Sequence, residues 1–431
     1  MNRWKEANIV NTQTYLEAAK EIPVYGSFDV VVVGGGCAGI AAAIAASRNG
    51  AKTLIIERFG YFGGTATASL MANINAFRNQ KEPDYLQTTR GIGEEIIREM
   101  HKAGGLGMSS YEQEEYDLEQ GDLAYSYAID PEVFKYVSLK LVVEAGVKIL
   151  FHTYFSDVIM DGQEIKGIIV ENKSGRQAIF GRVFIDASGD ADVAFKAGVP
   201  YWQIEYDEDH RMEDQLMYRI TGFPLETEEG PVRGSIANKC MTIWGPPAPK
   251  MNGTNADDLT NEEIVTRLNI YKHFEELKAK NPALKDAVLI DTGPLIGIRQ
   301  TRFIEGDYRL TAEDALSGRR FDDVIALCSS PIIRYYGYRR YLEHEGYDIP
   351  YRCLLPKKVE GMLVAGRCIS SDQASYESYR AMAPVMSLGE AAGVAAAIAV
   401  SDKVHPRYVD VKKLQKTLIS QGAELGQNRR S

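Results

Sequence analysis

Short, continuous apolar runs that end in glycine alternate along this chain with longer stretches in which small and apolar residues recur at helical spacing. Residues 28–33, FDVVVV, are a β-branched run closed by glycines, the pattern of a buried parallel strand. Alanines then dominate from Ala38 to Asn49, with isoleucines at 40 and 44, and Asn49-Gly50 supplies a helix stop before the second apolar run, KTLIIE. Strand, helix and strand make one βαβ unit of about thirty residues.

Periodicity is weaker over 76–129, which reads as an insertion: one helical segment, IGEEIIREMHKAGG, and a Tyr/Glu-rich portion, YEQEEYDLEQ. Asp130-Pro131 then opens a helix running to Ala145, with Asp as N-cap and Pro at the first helical position, and the strand VKILFH follows. Three further strands, FSDVIM, EIKGIIVEN and QAIFGRVFIDAS, are separated by the turns DGQ and KSGR and predict an antiparallel meander that returns to the parallel sheet. From 201 to 349 the pattern changes to Pro-rich WGPPAPK, polar MNGTNADD and a helix near EEIVTRLNIYKHFEELKAK, which together suggest a separate substrate or cap domain. After 350 a strand returns in GMLVAGR, and a small-residue helix is expected to open at Pro384 and run to Val400. The predicted fold is α/β. A discontinuous Rossmann-like domain (1–75, 130–200 and 350–431), with a parallel sheet and an antiparallel meander, carries an inserted α+β substrate/cap domain at 201–349.

Composition narrows the function classes. The 431 residues carry 49 basic and 59 acidic side chains, a net charge of −10, so electrostatics gives no reason to expect nucleic acid or anionic membranes as partners. A small-molecule substrate fits better. The five cysteines (37, 240, 328, 353 and 368) form no CxxC pair, which points to reduced thiols and a cytoplasmic location. No secretory signal is expected in the charge-interleaved N-terminus. The run MAPVMSLGEAAGVAAAIAV carries Glu390 and suits a buried helix better than a membrane span. The six histidines form no HExxH or HxH cluster, so no metal site is expected.

The strongest motif is GGGCAG. Gly34, Gly36 and Gly39 satisfy GxGxxG between a strand and a helix, and Glu57 follows Gly39 by eighteen residues at the end of the second strand. The first glycine permits the tight turn, the second lets backbone approach a pyrophosphate, and the third lets the helix pack on the sheet, while a carboxylate at 57 is placed for ribose hydroxyls. This fingerprint alone does not separate FAD from NAD. Three later features favour FAD in combination: the pair Gly63-Gly64, the small-residue strand end Ala187-Ser188-Gly189-Asp190, and GMLVAGRCISS followed by a helix whose dipole would favour the negative charge of a reduced flavin.

In these blocks and their order the chain resembles the glutathione-reductase-type FAD-binding superfamily, and most closely the bacterial FAD-dependent oxidoreductase family related to fumarate reductase and succinate dehydrogenase flavoproteins. The resemblance covers nearly the whole chain. It implies FAD contacts at Gly34, Gly36, Gly39, Glu57, Arg58, Gly63, Gly64, Ala187, Gly189, Asp190, Gly366 and Arg367. Cys37 and Ala38 fall within the glycine loop, although Cys37 also reads as a small packing residue. Ala383, Val385 and Met386 would pass beside the flavin ring. Thr65 stands where the superfamily often has Arg, and the glycine-pair region has no histidine of the kind that attaches flavin in some relatives, so non-covalent FAD is expected.

In fumarate-reductase-like chemistry arginines grip substrate carboxylates bidentately and manage protons, which makes Arg299, Arg302 and Arg380 candidates for substrate handling. GIRQTR would put Arg299 and Arg302 on one face if it is helical; structural ion pairs are the competing reading for each. Tyr379, with Tyr376, is a weaker candidate proton donor. The Tyr- and Arg-rich IIRYYGYRRYLEHEGY reads equally as a cleft lining or as an interface of a homo-oligomer. Hydride transfer between a small polar substrate, carboxylate or sugar-like, and FAD is the expected chemistry, with the electron acceptor or donor open. The rival readings are an NAD-binding dehydrogenase, a flavin-binding scaffold and a flavin-dependent nucleic-acid-modifying protein.

Overall fold

The computed structural model describes residues 14–71, 73–80, 85–109, 121, 123–204, 212–228, 230–248 and 251–427. The first thirteen residues, the YEQEEYDLEQ run and His210 lie outside the described residues. The apolar run at 28–33 extends to a ten-residue strand, Val24–Val33, at the centre of a seven-stranded sheet. Thr53–Ile56 lies parallel to it on one side, with Lys148–Leu150 beyond. On the other side Gly175–Asp186 runs parallel, followed by Glu164–Asn172 and Tyr154–Asp161 in the antiparallel meander. Gly175–Asp186 is long enough to have two partners in succession. Its first half pairs with the meander, and its last residues take Met362–Val364 as a parallel neighbour, Val364 opposite Asp186. The carboxyl ends of four parallel strands, at Val33, Ile56, Asp186 and Val364, therefore open on the same edge, where sheets of this kind bind ligands.

Helices α1 (Cys37–Arg48), α2 (Gly91–Lys102), α3 (Pro131–Glu144), α4 (Asp192–Lys196), α5 (Ala256–Lys280), α6 (Ala312–Ser317), α7 (Gln373–Tyr379), α8 (Met382–Asp402) and α9 (Val411–Ser420) complete the regular structure. Asp130 caps α3 as expected, accepting the Glu132 N–H at 2.8 Å with Pro131 behind it. Helices α1 and α8 are packed backbone to backbone. A Cβ added to Gly389 would stand 2.0 Å from the Ala38 carbonyl oxygen, and one at Gly393 would stand 2.2 Å from that of Ala42. Only small residues permit such a crossing. By length and composition α8 is apolar enough to cross a membrane, yet 89% of its most apolar stretch is buried inside the protein. It begins at Met382 with Ala381 as N-cap, two residues before the expected start, so Pro384 occupies the third helical position. The first-turn amides of a helix have no intrahelical acceptor, so proline there removes no hydrogen bond.

The middle of the chain builds a four-stranded antiparallel sheet, Ser235–Ala237, Cys240–Ile243, Tyr218–Thr221 and Val288–Thr292, whose core of Leu216, Tyr218, Ile220 and Met241 is shared with Ile270 and Phe274 of α5. Residues 73–129 contribute a small sheet in which Ser126–Ile129 lies between Asn73–Asn75 and Leu106–Gly107. The two sheets are joined by a bridge between Met108 and Ile236 and by the Asn73 amide donating to Ser235 Oγ at 2.8 Å.

Within α8 the buried Glu390 accepts the Ile92 N–H at 3.1 Å, at the first turn of α2. Burial, reinforced by Glu95 and opposed by that bond and Arg48, pushes its carboxyl from 4.5 up to about 7. The folded protein then holds a proton that the unfolded chain releases, so stability should fall as pH rises through this window, by an amount on the order of 2–3 kcal/mol. Glu390→Gln should flatten that slope, leaving the thermal midpoint near pH 5 unchanged and raising it near pH 8. Parallel melting curves of the two proteins across pH check it; an unchanged slope would refute the assignment.

Candidate functional site

The three motif glycines do different work. Gly34 has φ +102°, and a Cβ there would lie 2.5 Å from the Ala187 oxygen; at Gly39 it would lie 1.8 Å from the Gly34 oxygen. Both are demanded by the fold. Gly36 is extended, at φ −76°, and a Cβ on it would meet nothing nearer than Gly64 Cα at 3.9 Å. It is also the N-cap of α1, where no side chain caps the first amides. Those N–H groups and the positive end of the helix are left for an anion. The second glycine turn closes against the first: Gly63 N–H donates to the Gly35 oxygen at 2.8 Å, and Gly64, at φ +52°, leaves 2.9 Å between a hypothetical Cβ and Gly36 Cα.

Glu57 ends the strand Thr53–Ile56 and is buried, its Oε2 accepting the Gly35 N–H at 2.7 Å and its Oε1 the Phe59 N–H at 2.9 Å. The carboxylate is thus locked beside the glycine turn with lone pairs remaining for hydroxyl donors. Arg367 joins three segments at the opposite wall: Nε donates to the Gly189 oxygen at 2.6 Å, and the other nitrogens donate to the Ile298 oxygen and the Asp190 carboxylate. Thr301 Oγ1 adds a 2.8 Å bond to Asp190. Burial works against the Asp190 charge, but Arg367, Thr301 and Arg58 outweigh it and hold the carboxyl below its ordinary range.

One cavity of about 680 Å³ runs along these walls. Gly34, Gly36, Cys37, Ala38, Glu57, Arg58, Gly64, Thr65, Ala187, Gly189, Asp190, Gly366, Arg367 and Val385 line it, and at its other end it reaches Arg299 and Arg380. Gly39, Gly63, Ala383, Met386, Arg302 and Tyr379 are not among its lining residues. Met386 and Ala383 are wholly buried, Met386 against Gly93 of α2. The Cys37 thiol, desolvated in the core, is pushed up to about 12 and stays protonated.

The segment holding Arg299 and Arg302 is not helical. Residues 296–301 form a loop tied to Asp214 and Gln215, and Arg302–Ile304 is a strand paired with Tyr201–Gln203, so the two arginines diverge. Arg299 stays at the cavity, held by the Glu213 oxygen at 2.7 Å and Gln215 Oε1 at 3.1 Å, 5.0 Å from the Trp244 ring. Arg302 instead pairs with Asp192 at 2.9 Å and stacks on Phe195 at 4.1 Å. Tyr379 is engaged by Ser371 Oγ at 2.8 Å and the Arg367 oxygen at 3.0 Å. The Tyr/Arg-rich segment divides: Ile333, Arg334 and Arg339 face the cavity, whereas Tyr338 and Tyr341 are 62% and 55% exposed. Glu377, Asn73, Gln215 and Trp244 also line the cavity, and no sequence motif singled them out. The one available signal was a lone carboxylate in the Ser/Tyr run SYESYR.

Residues 29–229 and 205–418 match the family described as FAD dependent oxidoreductase. The chain belongs to that family. Its residues fit the cofactor: the uncapped first turn of α1, the open space over Gly36 and the fixed carboxylate of Glu57 are what a dinucleotide requires. The NAD-binding reading thereby gives way to FAD. Among curated relatives, this oxidoreductase is 30% identical over 175 residues to digeranylgeranylglycerophospholipid reductase of Methanocaldococcus jannaschii, covering 40% of this chain and 41% of that protein. It is 24% identical over 180 residues to NADH:fumarate oxidoreductase of Klebsiella pneumoniae, covering 34% and 18%. The chain spans less than two thirds of the length of these relatives. A solved structure of a geranylgeranyl bacteriochlorophyll reductase-like protein from Thermoplasma acidophilum aligns with a TM-score of 0.48 at 14% identity, over 92% of this chain and 84% of that one.

The glycine geometry separates packing from ligand approach. Gly36→Ala should leave the apoprotein's thermal midpoint within about 2 °C while weakening FAD retention by about tenfold or more. Gly39→Ala should instead destabilise the apoprotein by several kcal/mol, because its methyl group collides with backbone. Calorimetry of the apoproteins and flavin content after gel filtration distinguish the two; a Gly36→Ala protein that keeps its FAD would refute the cradle.

Proposed function

We propose that this oxidoreductase exchanges hydride between a small carboxylate-bearing substrate and non-covalently bound FAD. The observation that carries the reading is that one cavity is lined both by Gly36 and Glu57 and by Arg380. When bound, FAD supplies a hydride acceptor or donor at its N5. The chain's own residues do the remaining work. The Nε of Arg380 is buried with no hydrogen-bond partner, and its guanidinium lies 5.8 Å from the Tyr376 ring. A guanidinium with an unpaired buried Nε on the cavity wall favours an anionic group, and a carboxylate matches its fork. Arg299, held by protein oxygens, fixes the shape of the neighbouring wall and adds positive charge to it.

Non-covalent attachment is supported by the lining: among the described residues no histidine borders the cavity, and the Cys37 thiol is kept protonated by burial. Five free cysteines accord with a cytoplasmic setting. The sugar-like alternative is less favoured, since it brings no anion for Arg380.

Acid denaturation of the yellow holoprotein should release FAD into the supernatant; flavin that stays with the precipitate would overturn non-covalent binding. In anaerobic screens with carboxylic acids, a substrate should bleach the visible flavin bands. Arg380→Met should then raise its apparent KM by about 10- to 100-fold with FAD content unchanged. Equal KM values in the two proteins would remove Arg380 from the substrate site.

A further inference from the structure

Three buried polar atoms on residues lining the cavity lack a hydrogen-bond partner: Arg380 Nε, Glu377 Oε1 and Asn73 Oδ1. In a folded protein such atoms are rare, and each costs free energy until something satisfies it. Glu377 is the most informative. Its side chain is 1% exposed, and Oε2 already accepts the Arg334 N–H at 2.5 Å and the Tyr335 N–H at 2.8 Å. The carboxylate is therefore fixed in orientation with one oxygen satisfied and the other waiting. Glu377 and Arg380 stand one turn apart at the end of α7, on the same face, with Cβ atoms about 5–6 Å apart, yet they form no ion pair with each other among the described residues. Neighbouring hydroxyls do not fill the gap: Tyr376 donates to the Arg299 oxygen, Ser378 to the Ser330 oxygen, and Tyr379 to the Arg367 oxygen.

We infer that Glu377 is a specificity-determining residue that accepts a hydrogen bond from an N–H or O–H group on the carbon next to the substrate carboxylate, so that the substrate class is 2-amino or 2-hydroxy acids. The inference rests on the carboxylate reading of Arg380 given above. Arg380 supplies the donor for the acid group, and Glu377 Oε1 supplies the acceptor for the substituent beside it. Asn73 Oδ1 is a second acceptor on the same cavity, so acceptors outnumber donors among the unsatisfied atoms and the ligand must bring hydrogens as well as a carboxylate. Burial raises the Glu377 carboxyl above its ordinary range against the pull of the two amides, Arg380 and Arg334, and a donor bound at Oε1 relieves that cost.

The test uses three acids with one carbon skeleton: propionate, L-lactate and L-alanine. Each is titrated into the FAD-loaded holoenzyme, and the perturbation of the visible flavin spectrum and the shift in thermal midpoint are recorded. Lactate or alanine should bind at least about tenfold more tightly than propionate, because a site built to pair a donor discriminates against the analogue without it. Preference for alanine identifies an ammonium partner and preference for lactate a hydroxyl partner; either supports the inference. In Glu377→Gln, whose side-chain oxygen keeps the two backbone bonds, the preference should shrink to within about twofold while FAD content is unchanged. Arg380→Met, the second variant should Glu377→Gln not fold, should weaken all three acids alike and preserve their ratio. Equal binding of the three acids by the native holoenzyme, or an undiminished preference in Glu377→Gln, would overturn the role of Glu377 while leaving the carboxylate reading intact. If none of the three perturbs the holoenzyme, the carboxylate reading falls and the inference with it.

Discussion

The backbone contact between α1 and α8 is the constraint on which the cavity depends. At Gly389 and Gly393 the second helix presses on the carbonyls of Ala38 and Ala42 with no room for a single methyl group. That contact sets the first turn of α1, which offers its uncapped amides, against Gly389, two turns into α8. Residues near 36 and near 380 thereby share one cavity although more than three hundred positions separate them. A close-packed interior transmits position with little slack, so the two walls are held at fixed spacing.

Arg367 provides the matching constraint on the third wall. It is half-buried, and its guanidinium donates to the Gly189 and Ile298 oxygens and the Asp190 carboxylate, which ties the end of a central strand to the loop before Arg302. A partly buried ion pair of this sort repays its desolvation best when other donors of the guanidinium are also bonded, as they are here to the Gly189 and Ile298 oxygens. Two kinds of charged group result. Arg367 and Asp190 bond each other and neighbouring groups of the wall; Arg380 and Glu377 each retain an unsatisfied buried atom and also line the cavity.

Family membership and the cavity divide the functional question in the same way. The dinucleotide end is common to FAD dependent oxidoreductases, and its chemistry belongs to the cofactor. The rest of the lining comes from scattered elements: Trp244 from beside the four-stranded sheet, Asn73 from the small sheet, and Glu377 and Arg380 from α7 and its C-cap. These elements share no local motif.

Local pattern alone was sufficient for the βαβ unit, the Asp130-Pro131 helix start, the meander and the buried character of α8, because each is set by spacing and chain stiffness within ten to thirty residues. It also identified Gly34, Gly36 and Glu57 as one constellation, since a strand, a turn and a helix that follow one another in sequence have few ways to be arranged. Local pattern misplaced the start of α8, because proline is tolerated anywhere in a first turn, and it left open whether GIRQTR is helical, which pairing of Arg302–Ile304 with Tyr201–Gln203 decided against. The separation of Arg299 from Arg302, the bonding of Arg367 and the isolation of Glu377 Oε1 follow from partners brought together across the chain, such as Asp192, Gly189 and Tyr335. Whether a charged side chain is consumed by a neighbour or left for a ligand depends on packing at long range, and that only the tertiary structure decides.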